Sequence, residues 1–412
     1  MVRPAAGADV SAGPAPVIVA GAGPVGLLTA LALASRDVPV VVLEAEPALT
    51  HDLRAGTFHP PTLEMMAPYG ITAEMHRTGI KVPRWQHRDR REGLIAEWDL
   101  SLIADETPFP YRFHLEQHRL TPILFDRLAR LPHAAVRFGA RVVEVGQDSG
   151  RVWVVAETAG GSERFEGAWL VGADGGRSAV RKAIDVEFEG FTWPERFVVV
   201  STLYDFAVHG FTPNAYVADP DQWAAVFKMP DAEPGGLWRI AFPVPPDEPD
   251  DVTLSEAEIE RRMQYFVPRA ERYAIRYKSI YKVHQRVARE FRRGRVLLAG
   301  DAAHLNNPLG AFGLNGGIHD AISLAEKLGA VHRGEADESV LDRYVRQRRT
   351  VNVEYVQEGS IRNLRMLAER DPAVRKARFD ELRRANADRE LARAFLLQSS
   401  MIASVRRAAA IP

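Results

Sequence analysis

The feature that most constrains the fold is an uncharged run from Val17 to Ala34, which reads VIVAGAGPVGLLTALALA. The run is formally long enough to cross a membrane, and with Arg3 ahead of it the run could also pass for a signal peptide. However, three glycines and a proline interrupt it, and a second apolar segment, Val38–Leu43, follows almost at once. This order favours a strand, a glycine turn, a buried helix and a second strand. The run therefore predicts a βαβ unit rather than a membrane span.

The turn of this unit has the spacing G-x-G-x-x-G, formed by Gly21, Gly23 and Gly26. In a Rossmann fold the first glycine permits the tight turn, the second lets the backbone approach a pyrophosphate, and the third allows the helix to pack on the sheet. Free N–H groups and the dipole at the start of the helix favour the anion. Glu44 ends the second strand, where a carboxylate can accept hydrogen bonds from ribose hydroxyls. The combination predicts a dinucleotide site, without separating NAD from FAD.

Two later motifs repeat the pattern of a buried strand that ends in an acidic turn. Asp174 follows the apolar segment Ala168–Val171, and Asp301 follows the apolar residues 296–299. After Asp301 comes the loop Pro308–Asn315, rich in glycine, and then a helix predicted from about Asn315 to Leu328. Each motif taken singly could be a strand-end turn with an aspartate as helix cap. Three such turns in one chain favour a shared cofactor site.

Composition narrows the chemistry further. The 412 residues include no cysteine, which excludes disulfides, thiolate nucleophiles and cysteine-ligated metal centres. Redox chemistry must then be carried by a bound cofactor. Lys and Arg total 53 against 54 Asp and Glu, so there is no basic field for nucleic acid. We expect a cytoplasmic monomer or homodimer that acts on a small molecule and has no metal site, nucleic-acid partner or membrane partner.

Together the motifs resemble the flavoprotein aromatic hydroxylases, the single-component (group A) FAD monooxygenases of the para-hydroxybenzoate hydroxylase type. The resemblance is carried by GAGPVG, Glu44, Arg54, Gln117, GADGGRSAVR and LAGDAAHLNNPLGAFGLNGG. It implies an α/β fold, in which a glutathione-reductase-like Rossmann FAD-binding fold carries an inserted antiparallel β-sheet substrate domain and C-terminal helices. The expected units are a disordered tail (1–14), a discontinuous FAD-binding domain (15–80, 106–184 and 281–337), a substrate domain (81–105 and 185–280) and a helical region (338–412).

The resemblance also assigns residues to FAD. Those that would bind its ADP half and pyrophosphate are Gly21, Gly23, Gly26, Glu44 and Arg54. Gln117 would lie beside the ribityl chain, and Asp301 would accept a ribityl hydroxyl. Those around the flavin ring would be Pro308, Gly313, Leu314 and Asn315, with the backbone N–H groups of the last two stabilising negative charge on the reduced flavin. Asp174 would hold the middle motif together. Many relatives have glycine where this chain has Ala311, whose methyl group would lie near the flavin.

The activity implied by the resemblance is hydroxylation of an electron-rich phenolic or heteroaromatic ring. A reduced nicotinamide would reduce FAD, O2 would form a flavin C4a-hydroperoxide, and its distal oxygen would attack the ring. Residues 45–53 contain no Lys or Arg to bind a 2′-phosphate, which favours NADH over NADPH slightly. Epoxidation or N-hydroxylation by a related flavoprotein, and a non-catalytic FAD-binding protein, remain alternatives.

The substrate side of the site is less specified. His59 is the candidate base, since histidine titrates near neutrality; it could equally pack at the Pro-Pro turn that follows it. Four β-rich runs (Phe197–Tyr204, Asn214–Val217, Trp223–Lys228 and Leu237–Val244) and a helix (Ser255–Phe266) make up the insert. Its candidate substrate-binding residues are Tyr216, Trp223 and Arg239. Arg239 could pair with a substrate carboxylate, or could lie on a solvent face.

Overall fold

The computed structural model describes residues 15–51, 56–231 and 235–412. The tail 1–14 and Arg54 therefore lie outside the described residues. The strands are β1 (Val17–Ala20), β2 (Val40–Glu44), β3 (Thr57–Phe58), β4 (Ile80–Val82), β5 (Arg84–Asp89), β6 (Gly93–Asp99), β7 (Arg112–His114), β8 (Ala134–Phe138), β9 (Arg141–Gln147), β10 (Val152–Thr158), β11 (Gly161–Gly167), β12 (Trp169–Gly172), β13 (Phe188–Thr202), β14 (Asn214–Ala218), β15 (Ala224–Met229), β16 (Leu237–Val244), β17 (Ile275–Ala288), β18 (Arg292–Arg293), β19 (Val296–Leu298) and β20 (His304–Leu305). The α-helices are α1 (Pro24–Ala34), α2 (Pro60–Met66), α3 (Ile71–Met75), α4 (Gln117–Leu128), α5 (Ala179–Ala183), α6 (Asp250–Thr253), α7 (Glu256–Phe266), α8 (Phe312–His332), α9 (Ser339–Val351), α10 (Glu358–Leu367), α11 (Pro372–Ala387), α12 (Arg389–Ser399) and α13 (Ile402–Ala409).

A six-stranded sheet holds the glycine motif. Its order is β18-β19-β12-β1-β2-β8, and the pairs from β19 to β8 are parallel. Every residue of β1 is buried, and α1 is buried continuously from Gly26 to Ala34, where it packs against α4 and α8. This burial explains why the run from Val17 to Ala34 contains no charged residue, because neither element has a solvent-exposed face. The carboxyl ends of β1, β2, β12 and β19 meet at one edge, where ligands bind in open parallel sheets.

A larger, eight-stranded sheet has the order β20-β17-β13-β16-β15-β14-β5-β6. Its pairs are antiparallel except for β14 and β5, which are parallel, so the expected antiparallel sheet is in fact mixed. β5 lies more than a hundred residues before β14 in the chain, and this long connection is what a parallel pair requires. The predicted boundary at residue 280 falls inside β17, which runs unbroken from Ile275 to Ala288. The exact bounds of the domains stay a prediction.

The two faces of this sheet are distinguished by the alternation of side chains along β13. Val198 and Val200 pack with α7 in one core, and Phe197 faces the core shared with the C-terminal helices. Helix α7 begins as predicted after Ser255, whose hydroxyl accepts a hydrogen bond from the Glu258 N–H at 3.2 Å. Glu258 does not complete a capping box in the described contacts, because its carboxylate pairs with two arginines of its own helix.

Helices α10 to α13 contribute residues to the core on the second face, whereas α9 packs against α8 and β18. Helix α11 packs on β6, and α12 packs on the turn that follows β6. Helix α8 begins at Phe312, three residues before the predicted start, and ends at His332. Within the described residues, no helix combines the length and the apolar character that a membrane span requires.

Candidate active site

The three acidic turns line one elongated cavity of about 500 Å³ at the edge of the six-stranded sheet. The residues predicted to bind FAD that line it are Gly21, Gly23, Glu44, Gln117, Asp174, Asp301, Gly313 and Leu314. They belong to segments up to 293 residues apart in the chain. The structure thus brings together most of the cofactor residues that the sequence predicted.

The start of α1 fits the pyrophosphate of a dinucleotide. A side chain added at Gly23 would meet no atom within 4 Å, so the backbone faces open space there. Gly26 does not line the cavity; a Cβ there would lie 2.0 Å from the carbonyl oxygen of Gly21. Gly21 itself has a φ of 102°, a conformation that favours glycine. The turn therefore leaves space in front of the free N–H groups of α1, where a phosphate binds.

The Glu44 carboxylate is held at the end of β2 by backbone donors. Its Oε2 accepts from the Ala22 N–H at 2.6 Å, and its Oε1 accepts from the Glu46 N–H at 2.9 Å. Each carboxylate oxygen has a further lone pair for a ribose hydroxyl. These contacts orient Glu44 in the way a cofactor with an adenosine ribose requires.

The middle motif connects to the third motif through Arg181. The Asp174 carboxylate accepts from the Ser178 hydroxyl at 2.5 Å and from the Val180 N–H at 3.1 Å, which caps α5. Arg181 donates to the carbonyl oxygens of Ala302 at 2.8 Å and Gly176 at 2.9 Å. Asp174 therefore holds its turn together while it also lines the cofactor cavity.

A second chamber of about 250 Å³, here called the flavin cavity, continues from the first. Asp301, Gly313 and Leu314 line both chambers. One wall is the loop that contains Pro308, Leu309 and Ala311, and the opposite wall is the mainly apolar face of the eight-stranded sheet. The sheet residues are Val199, Ala225, Phe227, Arg239, Ala241, Tyr281 and Val283. Pro308 and Arg239 therefore lie at the place expected for the reacting ring.

Asn315 acts through its side chain. It is fully buried; its Nδ2 donates to the carbonyl oxygens of Thr57 at 2.8 Å and Ala311 at 2.6 Å, and its Oδ1 accepts from the His59 N–H at 2.8 Å. Because α8 begins at Phe312, the free N–H groups of its first turn belong to residues 312–314, and that of Asn315 has an intrahelical position. The helix dipole thus points at the flavin cavity through Leu314, while Asn315 holds the loop.

His59 lies behind this loop and lines neither chamber. It is fully buried, its Nε2 donates to the Gly310 carbonyl oxygen at 2.8 Å, and its ring stacks on Phe312. Burial, together with the charge of Arg112, lowers the pKa of His59 to about 3. The ring is therefore neutral at physiological pH. This geometry suits a support for the loop at Gly310; it offers no contact with a ring in the flavin cavity.

The other two predicted substrate residues lie outside the flavin cavity. The Tyr216 hydroxyl accepts from the Gly310 N–H at 3.0 Å, on the side of the loop away from Leu309. Trp223 is buried in the core, edge-on to Phe197 with ring centroids 4.8 Å apart. Their roles as substrate contacts stay predictions that this geometry does not support.

A buried ionic network behind the third motif was not found from the sequence. The Asp320 carboxylate accepts from the Gly300 N–H at 3.0 Å, from His304 Nε2 at 2.7 Å and from Arg348 Nε at 2.7 Å. Burial alone would raise the pKa of the Asp320 carboxyl, but the neighbouring His304 and Arg348 hold this pKa well below its usual range. One sequence signal was available, since an aspartate inside the apolar helix α8 needs a partner.

Comparison with known proteins supports this assignment. Residues 14–359 match the FAD binding domain family, and the chain therefore belongs to that family. It is 39% identical to para-nitrophenol 4-monooxygenase of Pseudomonas sp. strain WBC-3 over 92% of this chain and 94% of that protein. It is 37% identical to 6-hydroxy-3-succinoylpyridine 3-monooxygenase HspB of Pseudomonas putida strain DSM 28022 / S16, over 87% and 91% of the two chains.

A solved structure shows the same fold over nearly the whole chain. The crystal structure of p-nitrophenol 4-monooxygenase PnpA from Pseudomonas putida DLL-E4 superposes with a TM-score of 0.89 at 35% identity, covering 96% of this chain and 98% of that one. The predicted fold class and the predicted family are thus confirmed. The chain is an FAD-dependent monooxygenase of the aromatic hydroxylase class.

We expect Glu44→Gln to weaken FAD binding about 10- to 100-fold, because the amide group would turn an N–H donor toward a backbone N–H or a ribose hydroxyl. Fluorescence titration of the apoprotein with FAD measures this change. Glu46→Gln is the matched control, since Glu46 is exposed and pairs only loosely with Arg141 at 3.6 Å. Equal FAD affinity in both variants would contradict the assigned role.

We expect Ala311→Gly to stabilise the protein by about 0.5–1 kcal/mol, because Ala311 has a φ of 59° in the left-handed region that glycine tolerates better. Denaturant unfolding measures the difference. The same substitution at Ala377, exposed within α11, should instead destabilise by about 1 kcal/mol. A loss of stability in Ala311→Gly would show that Ala311 is not strained.

We expect acid to destabilise the protein partly through His59. In the unfolded chain this histidine binds a proton near pH 6.5, and in the folded chain only near pH 3, so its contribution to stability is complete above pH 6.5 and is lost as the pH falls toward 3. In His59→Gln the decrease in unfolding free energy between pH 7 and pH 5 should be smaller by about 2 kcal/mol. The exposed His209→Gln is the control. An unchanged pH dependence in His59→Gln would contradict the neutral, buried ring.

Proposed function

We propose that this enzyme hydroxylates a small, single-ring phenol or hydroxypyridine that carries a polar substituent. The observation that carries the proposal is Arg239, a buried cation in the mainly apolar sheet wall of the flavin cavity. The names of the two relatives support the same class, since each describes a single six-membered ring with a hydroxyl group.

Arg239 provides a buried, charged contact on the sheet wall of this cavity. Its side chain is buried, and Glu116 lies 3.7 Å from its Nη2. Because this carboxylate balances the charge, the guanidinium can stay in an otherwise apolar wall. Its N–H groups would donate to an oxygen of the substrate, such as a nitro, carboxylate or phenolate oxygen. The substituent would thereby set the orientation of the ring toward Pro308.

The remaining residues bind and enclose the cofactor. Glu44 and the start of α1 would hold the adenosine ribose and the pyrophosphate of FAD. The first N–H groups of α8 would face its flavin ring. Bound FAD would supply the redox chemistry that reduces O2 and delivers one oxygen atom to the substrate. Leu309 and the apolar sheet residues opposite it would exclude water from the transfer, which prevents loss of the oxidant.

NADH is proposed as the reductant in preference to NADPH. This proposal rests on the sequence prediction from residues 45–53, which contain Glu46 and Asp52 and no Lys or Arg. The ratio of kcat/KM for the two nicotinamides measures this preference. A cytoplasmic location and a monomeric or homodimeric state stay predictions of the sequence.

The proposed function is tested with the FAD-loaded enzyme, by NADH consumption, O2 uptake and product analysis with phenol, 4-nitrophenol and 4-hydroxybenzoate. We expect Arg239→Met to raise KM for the two substituted phenols at least 10-fold and to change KM for phenol much less, since only the substituted rings lose a charge-assisted hydrogen bond. FAD content is measured alongside as the control for an intact cofactor site.

Two outcomes would contradict the proposal. If FAD is bound and no phenol accelerates NADH consumption or is hydroxylated, ring hydroxylation is wrong, and alkenes and amines would be tried for epoxidation or N-hydroxylation. If Arg239→Met raises KM equally for phenol and the substituted phenols, Arg239 does not bind the substituent.

A further inference from the structure

Three buried amide side chains form a hydrogen-bonded chain behind the loop between β20 and α8. They are Gln285 on β17, Asn307 in the loop, and Gln357 at the end of the π-helical segment Asn352–Gln357. Gln285 and Asn307, both in the described part of the chain, line neither the flavin cavity nor the chamber beside it. Their influence on the site is therefore exerted through the loop.

The amide oxygen of Gln285 binds the loop. Its Oε1 accepts from the backbone N–H of Asn307 and from Asn307 Nδ2, both at 3.2 Å. It also accepts from the indole N–H of Trp193 at 3.2 Å. A backbone N–H and an indole N–H can only donate, so this end of the amide must be the oxygen.

The amide nitrogen of Gln285 binds the C-terminal helices. Its Nε2 donates to Gln357 Oε1 at 2.7 Å and to Ser360 Oγ at 3.0 Å. Gln357 Nε2 donates in turn to the carbonyl oxygen of Leu305 at 3.0 Å, and a carbonyl oxygen can only accept. Each of these amides therefore has one orientation, because turning it would leave buried donors unpaired.

Asn307 connects this chain to the wall of the flavin cavity. Pro308 follows it directly, and Asn307 Oδ1 accepts from the Leu309 N–H at 3.1 Å. Pro308 and Leu309 both line the flavin cavity, and a proline has no N–H with which to anchor itself. The backbone on the two sides of Pro308 is instead held by Gln285 and by the Asn307 side chain.

A bulge in β13 supplies the third donor to Gln285. The pairing of β13 with β17 is interrupted between Thr192 and Arg196, so that residues 193–195 stand opposite a single residue of β17. Bulges of this kind occur next to active sites, where they redirect a side chain. Here the half-buried Trp193 directs its indole N–H at Gln285, so that the sheet, the loop and the C-terminal helices meet at one amide.

We propose that Gln285 is a positioning residue for the reaction with O2. It acts through Asn307 to hold Pro308 and Leu309 in the wall that excludes water from the flavin cavity. If water enters, reduced FAD passes two electrons to O2, which takes up two protons and leaves as H2O2, and no oxygen atom reaches a substrate. The inference rests on the proposed function in one respect, since it takes the flavin cavity as the place where O2 reacts.

The test uses the FAD-loaded enzyme without an aromatic substrate and without nicotinamide. The flavin is reduced by light with EDTA as electron donor and is mixed with O2, and the return of the oxidised flavin spectrum gives the rate of reoxidation. Hydrogen exchange of the oxidised enzyme, followed by mass spectrometry, measures the protection of the Leu309 amide. We expect Gln285→Met to raise both rates about 10-fold, the effect of losing one buried hydrogen bond. FAD affinity should change less than about twofold, because Gln285 does not line the cofactor site.

Two matched variants separate positioning from general stability. Ser360→Ala removes an acceptor at the helix end of the same chain and leaves the contact between Gln285 and the loop. Gln222→Met removes another buried glutamine, which donates to the Arg262 carbonyl oxygen at 2.9 Å and does not line the flavin cavity. Both should lower the unfolding free energy and leave reoxidation and exchange at Leu309 within about twofold of the wild type.

Should Gln285→Met not fold, Asn307→Ala decides the question, because it cuts the same link from the loop side and should give the same increases. An unchanged reoxidation rate in Asn307→Ala, or in a folded Gln285→Met, would overturn the proposal. An equal increase in Ser360→Ala or Gln222→Met would also overturn it, since the effect would then follow stability alone. These rates need neither a phenol nor NADH, so a failure of the proposed hydroxylation appears only in turnover assays and is told apart from a failure of this inference.

Discussion

One buried carboxylate, Asp320, joins three segments of the chain on one side of the cofactor site. Asp320 accepts hydrogen bonds from the Gly300 N–H in the turn after β19, from His304 in the following loop, and from Arg348 in α9. A charged carboxylate can be buried at this depth only because it has a cation and two further donors. The turn that presents Asp301, the helix that faces the flavin cavity and the first C-terminal helix therefore keep one relative arrangement. This interaction holds the side of the cofactor site formed by Asp301, Gly313 and Leu314, and Arg181 links that side to the turn of Asp174 through the Ala302 carbonyl oxygen.

The loop between Pro308 and Phe312 is the second constraint. Its residues alternate between two cavities: Leu309 and Ala311 line the flavin cavity, and Gly310 and Phe312 line the larger cavity on the other side of the loop. Both backbone groups of Gly310 are held, the carbonyl by His59 and the N–H by Tyr216. His59 and Tyr216, which the sequence predicted to lie near the substrate, thus hold this loop through Gly310. Their effect on the reaction would come through the shape of this wall.

Much of the cofactor site could be predicted from the sequence because its physical requirements are local. A tight turn needs glycine at Gly21, a phosphate needs open backbone at Gly23, and a ribose needs a carboxylate at the end of β2; each is visible within about thirty residues. The start of α8 was predicted three residues late, because Ala311 adopts a left-handed conformation that the identity of an alanine does not suggest. The predicted domain boundary at residue 280 lies inside β17, which runs from Ile275 to Ala288. The composition of this strand does not change along its length, so it contains no signal for a boundary.

The sequence by itself determined the βαβ unit, the family resemblance and the need for a bound redox cofactor, because apolar periodicity, glycine spacing and the absence of cysteine are properties of the chain. Only the tertiary structure decided which polar side chains face which space. It placed Arg239 in the flavin cavity, Trp223 in the core and His59 behind the loop. It also showed that Gln285, unremarked in the sequence, is buried behind the loop and binds it through Asn307. The physical reason is that burial and charge balance depend on neighbours far apart in the chain, which local patterns do not encode.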